Sequence, residues 1–206
     1  MFEESEVVTL DLSNMSVFYR RNEIWIVYFF DPTKKECQDF KDTYKEIAER
    51  LYGIMKVGAI DCESEEELCE EFGAYDVPQI LIFEEKFSDD GERYHDELKP
   101  EKIMNAASKK MKNFVQVVTD DNYDTFVQRE RLAKNKVLLF TDKKSTPTLF
   151  KALSKKYLER LNLGEVKQSQ EELVRRFKVT EFPTIIALTD PENQEGEKYE
   201  GDMKVD

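Results

Sequence analysis

Seven consecutive apolar or aromatic residues, Ile24 to Phe30, end at Asp31-Pro32, and no other stretch constrains this chain as much. The run is too short for a membrane-spanning helix and suits a strand covered on both faces. Asp31-Pro32 breaks that strand. Thr33 stands three residues before Glu36, the spacing of a capping box, which predicts that a helix opens here. Cys37, Phe40, Tyr44, Ile47, Ala48 and Leu51 then recur at helical spacing, so Cys37 falls on the buried stripe.

Around this corner the first half of the chain reads as alternating elements. Val7 to Leu10 form a strand and Asn14 to Arg21 a short helix, and the corner helix ends near Tyr52-Gly53. Lys56 to Ile60 are the next strand, followed by an acidic helix beginning at Ser64 with Leu68, Cys69 and Phe72 inside. Ile80 to Phe83 follow Asp76-Val77-Pro78-Gln79. A polar hairpin, Glu84 to His95, carries Asp90-Gly91 as its turn signal. Pro100 suits a first helical position, and Ile103, Met104, Ala107 and Met111 give that helix a buried face.

The pattern then starts again. Val115 to Val118 read as a strand, Asn122 as the cap of a helix through Phe126 and Val127, and Val137 to Thr141 as a second central strand. Pro147 to Leu161 read as a long helix, and Val166 precedes a short helix with Leu173 and Phe177. Glu181-Phe182-Pro183-Thr184 leads into Ile185 to Leu188. Pro78 and Pro183 lie 105 residues apart (183 − 78), the separation of one small domain and the mark of a tandem duplication. The boundary is expected within Lys109 to Asn113, giving domains 1–113 and 114–206. The second copy is expected to lack its last helix, which implies a piece of a longer protein.

Charge narrows the function. Lys and Arg number 31 against 44 Asp and Glu, a net charge of −13, which argues against nucleic-acid binding. No apolar run reaches the 18 residues of a membrane span. The first residues, Met-Phe-Glu-Glu-Ser-Glu, do not read as a signal peptide. One histidine, His95, and no Cys-x-x-Cys leave too few ligands for a metal, and no cofactor is called for. The acidic run Glu63 to Glu71 reads as a solvated helix face. Weak Ca²⁺ uptake is its functional alternative, although there is no EF-hand loop. Asn14-Met15-Ser16 is a glycosylation sequon that matters only in a secretory chain.

Two aromatics, a small or polar residue, Pro, one further residue and then Cys-x-x-Cys form the active-site signature of thioredoxin-like oxidoreductases, protein disulfide isomerases above all. Phe29-Phe30-Asp31-Pro32-Thr33 followed by Lys34-Lys35-Glu36-Cys37 resembles that signature, with the first, nucleophilic cysteine replaced by Lys34. The resemblance covers nearly the whole chain. It implies an α/β architecture of two tandem thioredoxin-like domains, each a central mixed sheet flanked by helices. It also implies cis peptide bonds before Pro78 and Pro183, with Pro78 beside the corner where peptide substrates lie. Asp61-Cys62, six residues and Cys69 are similar to pairs that are bridged in disulfide isomerases of the endoplasmic reticulum; two reduced core thiols are the alternative.

The same resemblance limits the chemistry. Disulfide exchange needs one exposed sulfur to attack and a second to release the mixed disulfide, and only Cys37, the second, remains. The family's buried acid and its lysine fall on Tyr28 and Ala59, so the proton relay is absent as well. The second copy's corner, Asp142 to Pro147, holds no cysteine. Lys34 and Lys35 oppose the dipole of the helix they begin. They read either as cations offset by nearby acids or as a basic contact point for a partner. The expected function is a redox-impaired folding factor of the endoplasmic-reticulum lumen. It would bind unfolded or partly folded secretory proteins, or an oxidoreductase or chaperone partner, through Lys34, Lys35 and Pro78, and could be fused to a J-domain. An oxidoreductase working through Cys37 and an acidic calcium buffer are the alternatives.

Overall fold

A computed structural model describes residues 1–85, 90–129, 135–190 and 195–201. The chain divides into two compact units, the first built from Met1–Met111 and the second beginning at Lys112.

In the first unit β1 (Val8–Thr9), α1 (Met15–Tyr19), β2 (Trp25–Phe30), α2 (Lys35–Leu51) and β3 (Lys56–Asp61) are followed by α3 (Glu66–Glu71), β4 (Gln79–Phe83), β5 (Glu92–Arg93) and α4 (Pro100–Lys110). The sheet runs β1-β3-β2-β4-β5, with β1, β3 and β2 parallel and β4 and β5 antiparallel. All six residues of β2 are buried because helices cover both faces of the sheet. Ile26, Tyr28 and Phe30 pack with Phe40, Tyr44, Ile47 and Ile103 of α2 and α4. Trp25, Val27 and Phe29 face Phe18, Leu68 and Cys69 on the other side. Tyr44 fastens α2 to the sheet from within: its hydroxyl lies 3.0 Å from the Ile26 carbonyl and 2.7 Å from that of Gly58, on adjacent strands. The tip of the expected hairpin, 86–89, lies outside the described residues.

The second unit repeats the plan with β6 (Gln116–Val118), α5 (Tyr123–Gln128), β7 (Asn135–Thr141), α6 (Thr148–Lys156), β8 (Leu161–Lys167), α7 (Glu171–Arg176), β9 (Thr184–Asp190) and β10 (Glu195–Lys198). Its sheet order is β10-β9-β7-β8-β6. Among the described residues no helix follows β10. The two copies share small devices as well as topology. Asn14 accepts from the Asp11 amide and donates to the Thr9 carbonyl; Asn122 accepts from the Thr119 amide and donates to the Val117 carbonyl. Gly58 and Gly164 sit at matching points of β3 and β8, where a Cβ on Gly164 would stand 2.7 Å from a Val118 methyl.

Three local expectations are corrected. The Thr33–Glu36 capping box does not form: Lys34, one residue on, stands at the N-cap, and Asp31 accepts from the Thr33 amide at 2.8 Å, the donor the Glu36 side chain would have met, and from the Thr33 hydroxyl at 2.6 Å. Lys34 itself makes no side-chain capping bond. Asn122 likewise makes no capping bond forward into α5; its side chain is spent on the turn behind it. The long helix over Pro147–Leu161 stops at Lys156, and Leu161 opens β8, a strand the sequence pattern hides. Leu-Asn-Leu-Gly-Glu-Val-Lys carries Asn, Gly and Glu, residues depleted in strands, and β6 and β7 on its two sides impose the extended form.

Candidate functional site at the first corner

The turn from β2 into α2 is set by Asp31 and Pro32. The Asp31 carboxyl is held below the usual carboxylate range by its hydrogen bonds from the Thr33 hydroxyl and amide. Gln38 donates to the Pro32 carbonyl at 2.8 Å and braces the corner from the helix side. Lys34 therefore stands exposed at the mouth of the helix. Its ammonium reaches across the corner to 3.4 Å from the carbonyl of Val77. That carbonyl belongs to the residue before Pro78, and the Val77-Pro78 bond is cis, as is Phe182-Pro183. Lys34 and Pro78 thus meet at one place. Lys35 points elsewhere, to Asp39 at 2.6 Å, the acid one turn on that offsets its charge.

Cys37 lies behind this surface. It is the free cysteine of the described residues and is 0% exposed, in the first turn of α2 and inside the cluster of Tyr28, Phe30, Phe40 and Tyr44. The Tyr28 hydroxyl is buried beside it without a conventional hydrogen-bond partner. Burial first, and the Cys37 thiol second, push the Tyr28 phenol well above its ordinary pKa. Tyr28 thus stands beside Cys37 as a group that stays neutral. Phe2, which no periodicity in the sequence marks, also packs here. Its ring stands edge-on to Tyr28, Phe30 and Tyr44 at 6.3, 5.4 and 5.8 Å between centroids.

Cys62 and Cys69 are joined, with 5.7 Å between their Cα atoms, so the bridge ties the end of β3 to α3. It belongs to the opposite face of the sheet from Cys37. Among the described residues no three His, Cys, Asp or Glu side chains gather as a metal site, and no helix is long and apolar enough to cross a membrane.

The second unit's corner is braced by polar groups instead of sulfur. Lys167 donates to the Lys143 carbonyl at 2.9 Å and pairs with Glu165 at 3.2 Å, while the Thr141 hydroxyl accepts from the Lys143 amide. Glu165 is 4% exposed, with its second carboxylate oxygen unpartnered. No sequence signal marks it, because a Glu in a polar heptapeptide reads as a surface residue.

Residues 6–109, half of the chain, match the thioredoxin family model. The chain belongs to the thioredoxin family. A relative described as a protein disulfide-isomerase, from Dictyostelium discoideum, is 30% identical over 207 aligned residues, covering 98% of this thioredoxin-family chain and 50% of the relative. DnaJ homolog subfamily C member 10 of Xenopus laevis is 24% identical, over 93% of this chain and 25% of its own length. The crystal structure of full-length ERdj5 superposes with a TM-score of 0.69 at 17% identity, covering 95% of this chain and 30% of that one. This last likeness establishes the fold, a tandem of thioredoxin-like domains. The chain therefore spans half or less of the length of these proteins. The resemblance to disulfide isomerases carried by the Phe29 to Cys37 corner holds for the chain as a whole.

Proposed function

We propose that this chain is a folding factor of the endoplasmic-reticulum lumen that holds unfolded or partly folded secretory proteins, or a redox partner, without turning over their disulfides. The observation that carries this is the corner itself: the exposed position is the Lys34 ammonium and the one free sulfur, Cys37, is 0% exposed. An ammonium does not exchange with a disulfide, and a buried thiol without a resolving partner does not complete an exchange cycle. The lumenal setting is supported by the Cys62–Cys69 bridge, since structural disulfides persist in oxidising compartments, and by the likeness to disulfide isomerases and ERdj5. A J-domain elsewhere in the full protein belongs to the same proposal and rests on the DnaJ homologues. The single-cysteine oxidoreductase is disfavoured by the burial of Cys37.

Contact with clients is assigned to Lys34, Lys35 and the Val77-Pro78 loop. The test is light scattering from a denatured, cysteine-free client diluted into buffer with and without the chain. Scattering should fall at near-stoichiometric ratios, and Lys34→Glu/Lys35→Glu should weaken the protection. No protection by the wild type at tenfold excess would end the holding role. Equal protection by the double variant would move the contact away from this corner.

A further inference from the structure

The duplication allows the same surface cavity to be compared in two versions. In the first unit it is lined by Glu71, Phe72, Gly73, Leu81, Gly91 and Arg93, among others. In the second, the residues 105 positions on line a cavity of about 380 Å³: Arg176, Phe177, Lys178, Ile186, Gly196 and Lys198. Both lie where a short helix turns into the cis-proline loop and the edge hairpin. The backbone is the same in both. The Ala74 amide bonds to the Cys69 carbonyl and the Gly73 amide to that of Glu70; Val179 and Lys178 repeat this with Val174 and Arg175.

The charge is not the same. The first cavity adds Glu70, Asp90 and Arg21 to its lining, and Arg93 donates to the Gly73 carbonyl at 2.7 Å, closing over the end of α3. The second has Arg176 and Lys178 where the first has Glu71 and Gly73, and keeps a cation, Lys198, at the position of Arg93, in a chain of net charge −13. Lys198 lies 3.7 Å from the Glu200 carboxylate. Arg176 is held over the Tyr123 ring at 4.8 Å. Lys178 carries its cation at φ +52°, a left-handed conformation for which the first copy uses Gly73 at φ +63°. Cations do favour a helix C-terminus, yet α3 ends in Glu70 and Glu71 on the same backbone, so the helix end alone does not demand them. Phe177, Val179 and Ile186 supply apolar walls.

We propose that this cavity of the second unit binds an oxyanion, a carboxylate or a phosphate ester, carried on a small apolar body. Arg176, Lys178 and Lys198 line the cavity together with Thr180 and supply the positive charge, and the volume suits a group about the size of one aromatic side chain. The site is independent of the thiol chemistry of the first corner.

The test is a ¹H–¹⁵N NMR titration of the whole chain with phenyl phosphate, with N-acetylphenylalanine, and with neutral N-acetylphenylalaninamide. Saturable shifts are expected at the amides of Lys178, Val179, Thr180 and Gly196, with the tighter of the two acids naming the oxyanion. The neutral amide should bind at least ~10-fold more weakly, since it lacks the charge the cations meet. Lys178→Gly restores the residue the first copy uses, so its melting temperature should hold or rise while binding weakens at least ~3-fold. Lys178→Glu/Lys198→Glu should abolish the shifts. Equal shifts around Gly73 and Arg93, equal binding of the neutral amide, binding unchanged in Lys178→Gly, or no saturable shift with either acid would each overturn the site.

Discussion

Opening the Cys62–Cys69 bridge should destabilise the first unit and leave the second untouched. The bridge joins residues seven apart in sequence. For so short a ring the loop-entropy model gives about 8 cal/mol/K removed from the unfolded chain, or about 2.4 kcal/mol at 25 °C. Reduction adds two hydrogens and removes no heavy atom, so cavity formation does not blur the comparison. With a urea slope of ~1–3 kcal/mol/M for a domain this size, the midpoint should drop by ~1–2 M. The assay is built into the chain: Trp25, the single tryptophan, is 2% exposed beside Phe18 in the first unit, so its fluorescence follows that unit alone. The second unit holds none of the three cysteines. Its transition, followed by far-ultraviolet circular dichroism, should not move. A Trp25 midpoint that shifts by less than ~0.2 M in reductant, or shifts equally for both units, would refute the assignment of that stability to the bridge.

Tyr44→Phe should cost the first unit about 1–2 kcal/mol, because the Ile26 and Gly58 carbonyls lose their shared hydroxyl donor in a buried site; a change below ~0.5 kcal/mol by Trp25 urea unfolding would contradict it. Tyr28 and Tyr44 both have phenols pushed above their ordinary value of 10.0, chiefly by burial. Their neutral forms are therefore favoured in the folded state, so stability is intact below pH ~10 and falls as pH rises above it, more gently in Tyr28→Phe; equal midpoints at pH 9 and pH 11 would contradict this. Asn122→Ala should destabilise the second unit by about 1–2 kcal/mol through loss of its bonds to the Thr119 amide and Val117 carbonyl, with Trp25 fluorescence unfolding unchanged.

The legible parts of this chain are those where burial leaves a periodic trace. Ile24 to Phe30 reads as a doubly covered strand, and Cys37 reads as buried, because one face of α2 repeats apolar residues at helical spacing. The spacing of Pro78 and Pro183 exposes the duplication for a similar reason: a turn with a fixed backbone recurs when a domain recurs. What does not show in sequence is set by partners in space. β8 is extended because β6 and β7 flank it, despite its Asn, Gly and Glu. The helix after Pro32 opens without the Thr33 capping box because Asp31, two residues back, takes the Thr33 amide that the Glu36 side chain would have met. Phe2 and the Lys34 contact with the Val77 carbonyl join segments far apart along the chain, beyond the reach of any local pattern.

The central claim is that the corner presents an amine where a nucleophilic sulfur would act. Insulin reduction by dithiothreitol, compared across the wild type, Cys37→Ser and Lys34→Cys, tests it most directly. Near-background rates are expected for the first two. A modest rise is expected for Lys34→Cys, which places a thiol at the exposed mouth of α2 but leaves the neutral Tyr28 and Ala59 beneath it. A fast wild type whose activity disappears in Cys37→Ser would contradict the claim and make this a single-cysteine oxidoreductase.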